Sequence, residues 1–248
     1  MKSTFSKFNK LLLLMVIISI TCGTTNPVQR IIKQDLQKVP EWAIILEDMK
    51  EEGFFSRDYF HKYRILTGTG DTTQAQFEER VTDWIEVPTS YYRQNENYLG
   101  MTLASKLPGQ NPNRTAIPPG YQYVGDQRYG RWRQDDRGNS FWEFYGKYAL
   151  FRDLLFGSGT PGLFGGGRRI FVDDYQSYRR SVDNGRPFFG RSGQYGTYGS
   201  TTTQTKPSFF ERKKTRMQER KSAFSQRVQS RMGRSSRSSV SRSFGRGK

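Results

Sequence analysis

The stretch PGYQYVGDQRYGRWRQDDRGNSFWEFYGKYALFRDLLFG, residues 119–157, holds a large share of the tyrosine, tryptophan and phenylalanine of the chain. Aromatic side chains bury large apolar areas, so their density here predicts the centre of a folded core. No set of residue types in this stretch has the spacing of a known reaction. The stretch therefore predicts where the chain packs, and it contains no candidate for catalysis.

The second half of this stretch has the spacing of an amphipathic helix. Ser140 and Glu143 fit a capping box, in which the hydroxyl accepts from a backbone N–H of the first turn and the glutamate reaches back. Large apolar residues then recur at helical intervals until a glycine ends them. They are Phe141, Phe144, Tyr148, Phe151 and Leu155, followed by Gly157. We predict a helix over residues 140–156 whose aromatic face packs on the preceding domain.

The first half of the stretch alternates tyrosine, glycine and valine and leads to DDRG, a turn by composition. With the later aromatics assigned to the core, the side chains left for recognition are Tyr121, Tyr123, Tyr129 and Arg131. The motifs PGY, VGD, YG and SFW in this stretch resemble a pattern found in uncharacterised bacterial envelope proteins. That resemblance implies no activity.

Ahead of the stretch, the pattern predicts a small α+β domain with a mostly antiparallel sheet. Trp42, Ile45, Leu46 and Met49 fall at i, i+3, i+4 and i+7, which predicts a helix over residues 40–52. Period-two alternation and turn residues define the elements that follow. They are a strand over 59–66, a turn over 67–73, a strand over 77–87, a helix over 89–99, a strand over 101–106 and a loop over 107–119.

The first 21 residues have the anatomy of an export signal, with a short basic start, the apolar run LLLLMVIISI and small residues before Cys22. The segment Ser19-Ile20-Thr21-Cys22 resembles the lipobox of bacterial lipoproteins, with Ser19 in place of the usual leucine and Thr21 in place of glycine or alanine. The resemblance implies that Cys22 carries a lipid and anchors the protein to the bacterial cell membrane or outer membrane. The alternatives are a simple secreted form, cut near Thr21 or Gly23, and an uncleaved anchor.

The positive charge of the chain is concentrated at its C-terminal end. The net charge is +17, and the 43 residues from Lys206 to Lys248 contribute fourteen basic residues against two acidic ones, which gives +12. The leader adds three lysines, so residues 22–205 carry about +2 and are nearly neutral. Clustered positive charge attracts polyanions, whereas a balanced surface does not.

Within this tail, residues 207–233 repeat apolar residues at helical intervals among lysines and arginines, which predicts a basic amphipathic helix. Because the leader predicts export, the predicted partners are anionic lipid headgroups or anionic envelope polymers. One alternative partner is nucleic acid, whose bases could stack on the interleaved phenylalanines. The other alternative is a solvated tail that has no partner and only keeps the protein soluble. The residues predicted to bind the anionic surface are Arg212, Lys213, Lys214, Arg216, Arg220, Lys221, Arg227 and Arg231.

Other candidate sites are weak. The run GSGTPG at residues 157–162 matches G-x-G-x-x-G, but a predicted helix precedes it and a proline interrupts it, so a hinge is favoured over a phosphate site. His61 is the only histidine and is interpreted as a strand residue that faces a partner side chain. Asp173 and Asp174 could contribute to a cation site or to glycoside hydrolysis, although adjacent residues usually point apart. No metal or cofactor is predicted.

These features predict a non-enzymatic envelope lipoprotein in which the domain makes protein contacts and the tail binds an anionic surface. An enzyme of unrecognised type stays open as an alternative. The predicted segments are a signal peptide over 1–21, a tether over 22–39, a globular domain over 40–157, a flexible region over 158–206, a basic amphipathic helix over 207–233 and a disordered Arg/Ser tail over 234–248.

Overall fold

The computed structural model describes residues 26–53, 56–68, 77–148 and 169–235. The chain divides into two compact units, Met1–Thr205 and Lys206–Lys248. The described residues form five α-helices and antiparallel sheets, which confirms the predicted α+β class. The boundary of the first unit lies 48 residues beyond the predicted end of the domain at residue 157.

The first sheet is built around its longest strand. Strand β1 pairs antiparallel with β2 on one side and with β5 on the other, and β3 and β4 both pair with β2. The predicted second strand over 77–87 is therefore two short strands separated by three residues. The bounds are β1 Glu41–Glu52, β2 Asp58–Gly68, β3 Phe77–Val81, β4 Ile85–Val87 and β5 Thr102–Lys106.

The prediction of a helix over 40–52 is wrong, because this segment is β1. All six residues from Glu41 to Leu46 are buried, since the strand lies between two neighbours and is covered on both faces. A strand buried on both faces reads as a continuous apolar run, and any such run also contains the i, i+3, i+4 positions of a helix. The helical spacing of Trp42, Ile45 and Leu46 was therefore not diagnostic.

The predicted tether over 22–39 contains helix α1, Pro27–Gln34, which packs on the domain. Asn26 caps it, and its side-chain oxygen accepts from the backbone N–H groups of Val28 and Gln29. Val28, Ile31 and the following Leu36 are buried. From residue 26 onward the tether prediction is therefore wrong, because these aliphatic side chains belong to the core.

The predicted helix over 89–99 is shorter than expected. Helix α2 spans Thr89–Asn95, and its N-cap is Pro88, so neither Thr89 nor Ser90 caps it. The predicted strand over 101–106 and the loop after it are confirmed, although the loop makes two isolated bridges, Thr102 to Ile117 and Ser105 to Asn113.

The second sheet replaces the helix predicted over 140–156. Strands β6, Gly130–Gln134, and β7, Ser140–Phe144, form a hairpin around the predicted DDRG turn, and β8, Ile170–Phe171, pairs with β7. Trp132 pairs with Trp142 across the hairpin. Residues 149–168 lie outside the described residues, so only the first part of the helix prediction is tested. That part is wrong, because Ser140–Phe144 is a strand that pairs with both β6 and β8.

The short 3₁₀ helix Tyr121–Tyr123 places neighbouring tyrosines in two different core clusters. Tyr121 packs with Trp142, Ile170 and residues from further along the chain, whereas Tyr123 packs with the first sheet. Tyr121, Tyr123 and Tyr129 are each no more than 1% exposed. The prediction that these tyrosines serve recognition is therefore wrong, while the prediction that the stretch is the centre of the core is confirmed.

The flexible region predicted over 158–206 is ordered across residues 169–205. Helix α3 spans Val172–Asp183 and helix α4 spans Ser200–Thr205. Phe188 and Tyr195 are buried against Tyr121, with ring centroids 5.4 and 5.9 Å away. The prediction rested on the scarcity of aliphatics, but aromatic rings supply the buried area here.

Side-chain and backbone bonds hold this segment against the residues that follow α2. The Thr197 hydroxyl donates to the carbonyl of Glu96 at 2.5 Å and accepts from the backbone N–H of Leu99 at 3.1 Å. Gly196 has φ +81°, and a Cβ there would lie 2.7 Å from the carbonyl oxygen of Asn97. Only glycine fits this close approach of two backbones without strain.

The second unit contains helix α5, Pro207–Ser235, of 29 residues. It covers the predicted helix over 207–233. The disordered tail was predicted over residues 234–248. Its first two residues, Arg234 and Ser235, belong to α5, and residues 236–248 lie outside the described residues.

Candidate functional site

Helix α5 forms because its sequence suits a long exposed helix. Proline stands at its first position, where no intrahelical N–H is needed. Lysine, arginine, glutamine, glutamate and methionine, all good helix formers, dominate the residues up to Met232. Most residues of α5 up to Met232 are exposed, so packing of a buried face does not stabilise the helix along most of its length.

All eight residues predicted to bind an anionic surface lie on α5. Seven of them are exposed, and Arg216 is half-buried. Glu211 and Glu219 are the only acidic residues of the helix. The structure therefore collects the eight cations on one continuous element, which is the arrangement that binding to an extended polyanion requires.

His61 is confirmed as a strand residue that faces a partner side chain. It is fully buried in β2, and its Nδ1 atom lies 3.0 Å from the hydroxyl of Tyr63. The rings of Tyr91 and Tyr92 lie 5.6 and 5.3 Å away, centroid to centroid. Burial lowers the pKa of His61 to about 3, so the ring is neutral at physiological pH. This histidine is a buried core residue whose ring pairs with the Tyr63 hydroxyl.

Asp173 and Asp174 lie in the first turn of α3 and line a cleft of about 320 Å³. The Asp173 carboxylate accepts from the Arg191 guanidinium at 3.2 Å, and the Asp174 carboxylate accepts from the backbone N–H of Phe171 at 3.4 Å. Burial raises the pKa of Asp174. An ion pair and a helix-capping bond thus account for both carboxylates without a ligand.

Two further pairs of adjacent carboxylates, Asp135-Asp136 and Glu51-Glu52, have ordinary surroundings. Asp135 stabilises the hairpin turn, since its carboxylate accepts from the backbone N–H groups of Arg137 and Asn139. These bonds lower the pKa of Asp135. Glu51 and Glu52 end strand β1, where a helix end had been predicted.

A buried carboxylate, Glu41, was missed by sequence reasoning. It is 4% exposed at the start of β1, and a Cβ on the facing Gly68 would lie 2.9 Å from its Oε2 atom. Burial raises its pKa, while the Tyr129 hydroxyl and the Arg128 guanidinium oppose that shift. Its place at the start of a continuous apolar run could have signalled burial, had this segment been assigned to a strand covered on both faces. The close packing leaves no room for a ligand at Gly68, so Glu41 is a polar core residue.

Among the residues that the structure describes, no group of three or more histidine, cysteine, aspartate or glutamate side chains could hold a metal ion. No helix in the same residues is long and apolar enough to cross a membrane.

Helix α5 thus provides the clearest candidate for a functional site. Comparison with known proteins gives no further evidence about its function. No family model, no curated protein and no solved structure matches this chain. The function must therefore be argued from this chain alone. Cys22 and the glycine run at 157–162 lie outside the described residues, and their interpretations stay predictions.

Proposed function

We propose that this protein is a non-enzymatic, exported and membrane-anchored binding or assembly protein whose helix α5 attaches to anionic surfaces. The observation that carries the proposal is the concentration of exposed cations on α5, whereas residues 22–205 are nearly neutral. Lipidation of Cys22 is the proposed anchor, and it is supported by the export-type leader and the lipobox-like segment before it.

The cations of α5 can together gain a large electrostatic attraction from an anionic surface. Each lysine or arginine close to an anionic bilayer contributes about 1 kcal/mol at low ionic strength. The attraction falls within a Debye length of about 10 Å at 0.1 M salt, so the cations must reach the surface together. A single straight helix of exposed cations meets that condition.

Neutralising part of the cationic helix tests this proposal. We expect the full-length variant K213Q/K214Q/R220Q/K221Q to bind anionic vesicles at least about 100-fold more weakly than the native chain at low salt, because four contributions of about 1 kcal/mol are removed. Glutamine is also a good helix former, so the helix persists. Vesicle sedimentation across a salt series measures the partition coefficient.

The matched control is K213R/K214R/R220K/K221R, which keeps all four charges and should bind like the native chain. Equal binding by the glutamine variant and the native chain, insensitive to salt, would contradict the proposed role of α5.

The anchor has a separate test. We expect mass spectrometry of the mature protein to show an N-terminus at Cys22 carrying diacylglycerol, because a thiol is the nucleophile that is alkylated in lipoprotein processing. Cys22→Ser should release the protein from the membrane fraction at high salt, where the contribution of α5 is screened. An unmodified N-terminus at any later residue refutes the anchor and leaves the proposed role of α5 untouched.

A further inference from the structure

Helix α5 exposes a row of large apolar side chains in addition to its cations. Phe224 is 70% exposed, Met232 67%, Met217 52% and Val228 38%. They are spaced by seven, four and four residues. At about 100° per residue these positions fall within about 80° of one another around the helix axis. These side chains therefore form a stripe along one side of the helix, with Lys221 among them.

Cations lie within and beside this stripe. On the same helical geometry, Lys214 and Lys221 fall within its arc, Lys213 and Arg231 lie about 60° from its centre line, and Glu219 lies on the opposite side. Lysine and arginine within or beside an apolar stripe can extend their charged ends outward while their methylene chains stay against apolar material. Such an arrangement fits a surface that is apolar below and anionic above.

A soluble polyanion does not account for the stripe. Phosphates of nucleic acid or of an envelope polymer attract the cations, but they offer no apolar phase for methionine and valine side chains. Base stacking uses aromatic rings, and only one member of the stripe, Phe224, is aromatic. The exposure of Phe224, Met217 and Val228 on one side of the helix favours a surface with an apolar interior.

A second copy of the helix does not account for it either. Coiled-coil pairing needs apolar residues at both core positions of each heptad. If Phe210, Met217 and Phe224 take the first core position, the second falls on Lys213, Arg220 and Arg227. Cations in every second core position oppose self-association.

We propose that α5 lies in the plane of an anionic lipid bilayer, with the stripe at the boundary between headgroups and acyl chains and the cations within and beside it on lipid phosphates. This inference rests on the proposed anionic-surface function and specifies its ligand as a bilayer. The 29 residues of α5 extend about 44 Å along the surface at 1.5 Å per residue.

The test separates the apolar contribution from the charge. The full-length variant F224S/M232S keeps every charge, and Q226S/Q229S places the same two serines outside the stripe, about 160° and 100° from its centre line, as a matched control. Both are compared with the native chain on vesicles of equal parts phosphatidylglycerol and phosphatidylcholine, and on inorganic polyphosphate as a soluble polyanion. Circular dichroism and gel filtration check helix content and oligomeric state.

We expect F224S/M232S to bind the vesicles about 10- to 100-fold more weakly than the native chain, because two partly buried apolar side chains are lost. Its polyphosphate binding should stay within about twofold of the native value, since the charges are unchanged. The control Q226S/Q229S should match the native chain on both probes.

Unchanged vesicle binding by F224S/M232S overturns the bilayer inference. Equal weakening on both probes, or the conversion of a native dimer to a monomer, overturns it as well. If these outcomes occur while K213Q/K214Q/R220Q/K221Q still loses affinity for the vesicles, the anionic-surface function stands without the bilayer. If neither variant changes binding, both proposals fail.

Discussion

A chain that ends at residue 157 will fail to fold cooperatively, whereas a chain that ends at Thr205 will unfold in one transition like the full-length protein. The reason lies in α3 and the segment after it, which complete the core cluster around Tyr121. Tyr178, Phe188 and Tyr195 are each buried there beside Tyr121. Removing one buried aromatic side chain costs about 3–5 kcal/mol, and a domain has a total stability of about 5–15 kcal/mol.

Losing three such residues together therefore exceeds the stability available. The backbone bond from Phe188 N–H to the Ala116 carbonyl and the two bonds of the Thr197 hydroxyl are lost as well. Circular dichroism during urea denaturation distinguishes the two truncated chains, because only a folded domain has a sigmoidal transition.

A point variant in the full-length chain guards against a trivial failure of truncated protein to express. Phe188→Ala should lower the free energy of unfolding by about 3–4 kcal/mol, and Phe224→Ala, at an exposed position of α5, should change it by less than about 0.5 kcal/mol. A cooperative transition in the chain that ends at residue 157 would show that the segment from 169 to 205 is dispensable, against this expectation.

Acidification will destabilise the protein through a single histidine. His61 has a pKa of about 3 in the folded chain, far below the ordinary value of 6.5 that it regains on unfolding. Below pH 6.5 the unfolded chain binds a proton at His61 that the folded chain does not bind. The free energy of unfolding therefore falls as the pH falls from 6.5 toward 3, and above pH 6.5 it does not depend on this histidine. The slope is about 1.4 kcal/mol per pH unit, which gives a loss of about 2 kcal/mol at pH 5.

His61→Gln removes the titrating ring and should abolish this slope between pH 5 and 6.5, whatever constant cost it adds. The chain has no other histidine, so no second imidazole can mask the change. Tyr63→Phe is the control, because it removes the hydroxyl beside Nδ1 but keeps the buried ring, and its slope should stay like that of the native chain. Parallel pH profiles for the native chain and His61→Gln would contradict the assignment.

The sequence correctly predicted the α+β class and those elements in which apolar residues recur with one clear period. Strand β2 alternates Tyr59, His61 and Tyr63 inward with polar neighbours outward, and this pattern was interpreted correctly. Strand β1 could not be assigned in the same way, because burial on both faces removes the alternation that distinguishes a strand. Its assignment depends on the neighbours β2 and β5, which no local window contains.

The helix prediction for the segment from Ser140 to Phe144 is wrong for a different reason. Its capping-box pattern is a local signal, but the preceding DDRG turn brings Trp142 against Trp132, and that pairing across the hairpin prevails. The ordered segment after residue 169 was missed because its partners are distant in sequence. Phe188 packs on Tyr121, and neither residue alone predicts the other.

The cationic residues of the candidate site, in contrast, could be chosen from the sequence. Charge and helical spacing on α5 are local properties, so Lys213, Arg220 and Arg231 were placed on a helix without any tertiary information. Exposure of the apolar stripe could not be predicted, because an identical spacing is usual for a helix that packs on a core. Phe224 and Met232 are 70% and 67% exposed in the structure.

The hydrogen bond between Thr197 and Leu99 joins residues that are 98 positions apart, and it also determines when folding can finish. A ribosome adds about 5–20 residues per second, so roughly 5–20 s separate the synthesis of the first partner from that of the second. Throughout that interval the core around Tyr121 lacks Phe188 and Tyr195. The nascent chain therefore stays incompletely folded until nearly the whole domain has been synthesised.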